Sequence, residues 1–396
     1  MPLPEYIQAT LRDLKARSLY RSLVAVGPSA GGSAAGPHIQ VGGRTILQFA
    51  SNNYLGLAGD PRVCEAAARA LSKWGWGAGA SRLVSGHTEA HEALERDLAA
   101  FKGTEAALVF ATGYMANLGV ITALVGRGDV VVGDRENHAS IYDAVRLSGA
   151  KLLRYAHGDA GAATELLNPK SETRNPKARR LLVTDTVFSM GGDVAPLADL
   201  AAACRAAGAM LMVDEAHALG LLGPTGAGLV EQVGATTLGV TASVGTLSKA
   251  LGGIGGFVAA SREVCELLVN LARPFIYSTA LPAAACEAAR EALRILRTEP
   301  DRRRRPMILA DRLRAALRAK GFDTGASTTP IVPIIVGKPQ LALALAAKLL
   351  ERGIFCPAIR PPTVPPGASR LRVSLTAEHT EEDVDRLVSA LVEARG

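Results

Sequence analysis

Between Ala106 and Ala259 the chain alternates short, apolar, β-rich runs with longer segments of helical period, and this alternation constrains the fold more than any other feature. The short runs are Ala106 to Phe110, Val130 to Val132, Leu152 to Tyr155, Leu181 to Thr184, Met210 to Val213, Gly239 to Ala242 and Gly256 to Ala259. Helical patterns such as Tyr114 to Val125, Ser140 to Ser148 and Leu197 to Ala207 separate them. Strands that alternate with helices have to pair through crossovers, which gives a parallel sheet covered on both faces. The prediction is an α/β fold with a mainly parallel sheet and helices on both sides.

The flanks read differently. Residues 5 to 24 place Ile7, Leu11, Leu14 and Leu23 at helical spacing and are predicted as an amphipathic helix, and Gly27 to Pro37 then reads as a linker. After roughly residue 290 the order becomes helix (Pro306 to Lys320), strand (Ile331 to Val336), helix (Leu341 to Arg352), strand (Leu371 to Leu375) and helix (Glu381 to Ala394). Pro361, Pro362, Pro365 and Pro366 form a stiff connecting loop, since each ring fixes its own φ. The expected division is an N-terminal helix and linker segment (1–45), a large cofactor-binding α/β domain (46–290) and a small C-terminal α+β domain (291–396). No fixed-period repeat is present.

At 396 residues with 48% apolar content the chain can bury a large core. No apolar run approaches the roughly 18 residues of a membrane span, and Glu5 and Asp13 break any signal-peptide pattern, so a cytoplasmic location is expected. Cys64, Cys204, Cys265, Cys286 and Cys356 lie far apart without a Cys-x-x-Cys pair, so neither a metal site nor a disulfide framework is expected. The net charge of +7 is concentrated in Lys170 to Arg180 and Arg302 to Arg305 without interleaved aromatics, which reads as solvated surface and not as a nucleic-acid face. The same bias would draw in anionic substrates.

The chemistry gathers around three residues. Lys249 stands in Thr246-Leu247-Ser248-Lys249, about 35 residues after Asp214 and His217 of Val213-Asp214-Glu215-Ala216-His217. Pyridoxal phosphate needs a primary amine for a Schiff base, a carboxylate on its ring nitrogen and a phosphate cradle. Asp214 ends an apolar run, so it is expected at the carboxyl end of a buried strand, where ligands collect in open α/β sheets. There it would keep the pyridine nitrogen protonated. Lys249 would carry the cofactor and, once displaced, take the substrate's α proton. Gly113 and Tyr114, opening a helix after the strand that ends at Phe110, would offer amides to the phosphate, with Thr246 adding a hydroxyl. His217 and Ser189 could reach the ring's 3′ oxygen, and His138 would stack on the ring as an acid/base partner. His38, His91, His157 and His379 are expected as polar surface residues.

These residues, in this order, resemble the α-oxoamine synthases, a group of fold-type I pyridoxal phosphate enzymes. The resemblance runs essentially end to end. It includes Ser51-Asn52-Asn53-Tyr54-Leu55-Gly56-Leu57, Gly77-Ala78-Gly79-Ala80-Ser81-Arg82-Leu83-Val84-Ser85-Gly86 and Asn137-His138-Ala139-Ser140. Ala358-Ile359-Arg360-Pro361-Pro362-Thr363-Val364-Pro365, Arg370-Leu371-Arg372 and Leu375-Thr376-Ala377 are most similar to members that join L-alanine to a pimeloyl thioester. The resemblance implies Lys249 for the Schiff base, Asp214 for the ring nitrogen, His138 for stacking, and Gly113, Tyr114, Ser189, His217 and Thr246 as cofactor contacts. It further implies a homodimer in which Thr279, of Tyr277-Ser278-Thr279, serves the partner's phosphate. Arg21, Asn52, His138, Arg360 and Thr363 match substrate-binding positions, Arg360 being suited to a bidentate grip on a carboxylate. The thioester carrier could be coenzyme A or acyl carrier protein. Alternatives within reach are a sibling synthase using glycine or serine, and a pyridoxal phosphate aminotransferase. The chain departs from the family at Asp185, where Glu is frequent, and at Gly191, where Asp is frequent.

Overall fold

A computed structural model describes residues 3–168, 178–234 and 238–395, so residues 170–177 of the first basic run lie outside the described residues. The chain divides into two units, one formed by 53–189 and 193–304, the other by 1–52, 190–192 and 305–396.

The larger unit is built on a seven-stranded sheet in the order Ala106–Phe110, Gly256–Ala260, Ala242–Thr246, Met210–Asp214, Arg180–Asp185, Val130–Asp134, Lys151–Tyr155. Only Gly256–Ala260 runs antiparallel to its neighbours. The strand interiors are small and branched apolar residues. Val131, Leu181, Val183, Met212, Val244 and Val258 pack with Val120, Ile121, Ile141 and Leu268 from the covering helices into one core. Register places Asp185 beside Asp214 and Asp214 beside Val244, so adjacent parallel strands deliver their polar ends to one edge.

One strand is displaced from its expected position. The run predicted over Gly239 to Ala242 is instead a strand over Ala242–Thr246. At Gly245 the ring of Phe257 fills the space that a Cβ would need. Pairing on both sides, to Met210–Asp214 and to Gly256–Ala260, defines the strand where its own composition does not. The shift brings the strand end within three residues of Lys249.

The other unit joins the two ends of the chain. Gly27–Pro28, His38–Val41, Arg44–Gln48 and Ile354–Phe355 form a four-stranded sheet, with Arg44–Gln48 and Ile354–Phe355 parallel. Ile331–Gly337, Ser369–Ser374 and Ala358–Ile359 form a three-stranded one. Leu47, Phe49, Leu313, Val332, Ile334, Leu349, Leu371 and Leu387 share its core. The N-terminal helix covers only Leu3–Ala16 and buries no residue, so the expected extension to residue 24 is corrected. Ser18 turns to φ +56, and the N–H groups of Leu19 and Tyr20 fold back on Leu14 O at 2.8 and 3.0 Å, which terminates the helix.

Three of the four histidines expected on the surface are not there. His91 is buried in the capping box of Glu89–Lys102, with Nδ1 accepting from Thr88 N–H at 3.2 Å and Nε2 on Leu281 O at 3.0 Å. Burial, more than its cationic neighbour Arg82, lowers its pKa to about 4. His379 is buried against Phe49, with ring centroids 4.6 Å apart, and its Nε2 meets Gln48 O at 2.9 Å. His157 is half-buried between two aspartates. Each imidazole supplies an acceptor, a donor or both inside the fold, a use that a lone histidine in sequence does not reveal. His38 is exposed as expected.

Candidate active site

The carboxyl ends of the central strands open into a cavity of about 200 Å³ in the larger unit. Seven of the residues singled out from sequence line it: Gly113, Tyr114, His138, Asp214, His217, Thr246 and Lys249. Asn117, Asp185 and Ser248 complete the polar wall, and sequence reasoning assigned a role to none of the three.

Asp214 is buried at the end of its strand. Its Oδ1 accepts from Ala216 N–H at 2.9 Å and its Oδ2 from Asn117 Nδ2 at 2.7 Å. Asn117 is the signal that could have been found. It lies one turn into the otherwise apolar helix Gly113–Leu124, and a buried amide in such a helix has to be hydrogen-bonded. Its Nδ2 also donates to Ser140 Oγ at 2.8 Å, while Ser140 Oγ lies 2.7 Å from His138 Nδ1. His138 Nδ1 accepts from Ser140 N–H at 3.3 Å, so the Ser140 hydroxyl, which accepts from Asn117, also donates to it. That assigns a neutral imidazole with its proton on Nε2. The residue lines the cavity, yet burial by the surrounding protein lowers its pKa, an effect that outweighs the attraction of Asp214. Tyr54 Oη lies 2.7 Å from His217 Nδ1 and holds that second ring in place.

Asp185 is a second carboxyl in the wall. Its Oδ2 accepts from His138 N–H at 3.1 Å, and its Oδ1 is buried without a hydrogen-bond partner, as is Asn117 Oδ1. Burial first, and then the charge of Asp214, pushes Asp185 well above the usual carboxylate range. Behind Asp214, the next residue, Glu215, is buried against Lys102, with Ser243 Oγ at 3.0 Å and Val230 N–H at 2.9 Å also donating to it. This network anchors the chain where it leaves the strand.

Opposite the carboxylates, Thr112 caps Gly113–Leu124 by accepting from Met115 N–H at 3.1 Å. The preceding amides, including those of Gly113 and Tyr114, have no partner within the helix, and such a start attracts an anion. Thr246 Oγ1 and Ser248 Oγ, 2.7 Å apart, lie on the same wall. Gly256 permits this approach: a Cβ there would stand 2.5 Å from Gly113 N and Cα. Gly256→Ala is therefore expected to lower stability by about 1–3 kcal/mol and to weaken phosphate binding, measured as melting temperature and cofactor dissociation constant. An unchanged cofactor affinity would detach the helix start from the phosphate. Past Lys249, Gly252 takes φ +68 directly against the Ala58 backbone, so the turn after the lysine admits only glycine.

The remaining sequence-assigned residues are placed otherwise. Ser189 is half-buried and does not line the cavity, and Thr279 is exposed, its backbone bridged to Ser81. Arg21, Asn52, Arg360 and Thr363 belong to the other unit. There Arg21 donates to Thr363 Oγ1 at 3.3 Å, and Arg360 spends its guanidinium on the carbonyls of Ser18 and Tyr20. Asn52 Oδ1 accepts from the buried Arg372 at 3.0 Å. Among the described residues no group of three or more His, Cys, Asp and Glu side chains could hold a metal ion, and no helix is long and apolar enough to cross a membrane.

The donor set fits pyridoxal phosphate. A buried carboxylate suits a protonated ring nitrogen, the amine of Lys249 suits an aldehyde, free helix amides and hydroxyls suit a phosphate, and two unpartnered oxygens point to polar groups yet to be met. With this cradle on a sheet of this topology, and with the aminotransferase class I and II model matching residues 44–391, the chain belongs to that family and to its α-oxoamine synthase branch. The 8-amino-7-oxononanoate synthase of Anaeromyxobacter dehalogenans is 52% identical over 387 residues, covering 98% of this chain and 94% of that one. Serine palmitoyltransferase from S. paucimobilis, solved with a bound PLP-myriocin aldimine, superposes with a TM-score of 0.91 at 32% identity over 100% of this chain and 98% of that one. An 8-amino-7-oxononanoate synthase from Francisella tularensis has a TM-score of 0.76 at 29% identity over 88% and 97%.

Proposed function

We infer that the chain is a pyridoxal phosphate-dependent acyltransferase that condenses L-alanine with a pimeloyl thioester, releasing carbon dioxide and the thiol and yielding 8-amino-7-oxononanoate for biotin synthesis. What carries this reading is the meeting of Lys249, Asp214 and the start of Gly113–Leu124 on one cavity, in a chain 52% identical to a full-length synthase of that name.

When bound, the cofactor supplies an aldehyde for the amino acid's amine and a ring that accepts electrons from its α-carbon. Lys249 would hold the aldehyde and, once freed by the substrate amine, would take the α proton. Asp214, kept in orientation by Asn117 and Ala216, would hold the proton on the ring nitrogen. The amides of Gly113 and Tyr114 with the hydroxyl of Thr246 would hold the phosphate, and His217 would serve the ring oxygen from the cavity wall, where family resemblance alone adds Ser189. His138, neutral with its proton on Nε2, would stack on the ring and donate to the thioester carbonyl oxygen as charge builds there, which would lower the barrier to acyl transfer and again to loss of carbon dioxide. Arg21, Asn52, Arg360 and Thr363 would bind the substrates. A cytoplasmic homodimer, with Thr279 serving the partner's phosphate, belongs to the same reading through family resemblance. Coenzyme A and acyl carrier protein are both anionic, and the net charge of +7 favours either.

The test is a matrix of steady-state assays, with alanine, glycine and serine each offered short, pimeloyl and long acyl thioesters. Alanine with pimeloyl thioester should give the highest kcat/KM, with carbon dioxide and thiol released in equal amounts. Preference for serine with a long chain would move the chain to the palmitoyltransferase branch. Formation of pyridoxamine phosphate without an acyl acceptor would make it an aminotransferase.

A further inference from the structure

His157 lies outside the cavity wall, and none of the chemistry above uses it. Its ring is held at both nitrogens, with Nδ1 2.9 Å from Asp134 Oδ1 and Nε2 2.8 Å from Asp193 Oδ2. A neutral imidazole has one N–H and one lone pair, so only the protonated ring can donate to both carboxylates at once. Hydrogen bonding to Asp134 first, and then to Asp193, raises its pKa to about 10. The ring also stands edge-on to Phe188, with centroids 4.3 Å apart.

The two carboxylates belong to two turns at the same edge of the sheet. Asp134 ends its strand and opens the turn that leads to His138. Its Oδ1 accepts from Glu136 N–H at 2.8 Å, its Oδ2 from Gly158 N–H at 2.8 Å, and its carbonyl from Asn137 N–H at 3.2 Å. Asp193 belongs to the loop from Thr186 to Ala195, which contains Ser189. Ala195 N–H bonds Thr186 O at 3.0 Å and Phe188 N–H bonds Asp193 O at 3.0 Å, so a force on Asp193 is transmitted to the residue before Ser189. Charge-assisted bonds of this kind are about twice as strong as neutral ones and fix direction as well as distance.

We propose that His157 is a positioning residue, its imidazolium clamping the Ser189 loop to the turn that carries His138 and so setting where the Ser189 hydroxyl meets the cofactor ring. The proposal rests on the reading of Ser189 as a contact to the ring oxygen.

The experiment uses cofactor-loaded protein and compares His157→Ala, His157→Gln, Ser189→Ala and the His157→Ala/Ser189→Ala double variant. His157→Ala is expected to lower kcat about tenfold or more, since displacements near 1 Å at a reacting centre carry costs of that size. It should also shift the visible band of the Lys249-bound cofactor, with KM for alanine changing less than about threefold. His157→Gln, which keeps a donor to one carboxylate, should recover part of kcat. In the Ser189→Ala background, loss of His157 should cost less than about twofold more, because both changes remove one interaction. A His157→Ala enzyme with unmoved band and kcat, or full multiplication of the two costs, overturns the proposal. Ser189→Ala alone separates the two claims. If it moves neither readout, the assignment of Ser189 fails and the clamp falls with it; if it moves both while His157→Ala moves neither, only the clamp is overturned. Should His157→Ala fail to fold, Asp193→Asn, which retains a hydrogen bond and removes the charge, carries the test, and an unchanged kcat and band there would be equally decisive.

Discussion

Lys249→Ala will reduce turnover of alanine and pimeloyl thioester by about 10⁴-fold or more, the scale seen when a covalent and proton-transfer group is removed as a unit. The side chain lines the cavity between the helix start and the carboxylates, and the adjoining Thr246, Ser248 and Gly252 are occupied in shaping the wall. Among the described residues no second lysine lines this cavity. The neighbouring Lys102 is committed to Glu215 and the carbonyl of Ala227. The variant should still fold, since a side chain facing a cavity supports little packing, and its melting temperature checks that. Borohydride treatment followed by peptide mapping should find the reduced adduct on Lys249 in the parent protein and none in the variant. Thiol release at more than a tenth of the parent rate would remove Lys249 from its role.

The second large effect is expected at Asp214. Asp214→Asn keeps the shape, and an amide oxygen can still accept from Asn117 or Ala216, so the strand end should hold its position. What disappears is the negative charge. A buried carboxylate favours the protonated form of a partner by Coulomb attraction in a poorly solvated place, and its removal lets the ring nitrogen lose its proton. The expected fall in kcat is on the order of 10³, comparable with losing a dedicated electrostatic contact at a transition state. Asp185, a nearby carboxyl, is pushed towards the neutral form by burial first and by the charge of Asp214 second, and the burial that persists in the variant makes it a poor substitute. Removing the charge at Asp214 lifts one of those two causes, so the variant also reports on how closely the pair is coupled. A kcat within tenfold of the parent would show that the ring nitrogen does not depend on Asp214.

The central sheet and the cofactor wall were legible because each rests on local order. Apolar runs of strand length ending in a polar residue marked Met210–Asp214, and a threonine-glycine pair before a helical pattern marked the start of Gly113–Leu124. The strand Ala242–Thr246 was misplaced because Ala242, Ser243 and Gly245 dilute its β signal, Gly245 answers to the ring of Phe257, and pairing on both sides defines the strand. Asn117, Ser140 and Asp185 escaped for a related reason. Their part depends on meeting side chains from other strands and helices, and sequence separation conceals such meetings. The buried histidines show the same limit: His91 and His379 are defined by the carbonyls of Leu281 and Gln48, each far away along the chain.

The parallel pairing of Arg44–Gln48 with Ile354–Phe355 has a consequence for how the polypeptide is made. The early strand leaves the ribosome long before its partner exists. At about 5–20 residues per second, roughly 300 residues of synthesis leave that edge waiting for about 15–60 s. An unpaired strand edge is a template for pairing with other chains. Nascent chains stalled before Phe355 should therefore be a preferred cargo for holdase chaperones, and the emergence of Ile354–Phe355 the moment at which that edge is covered.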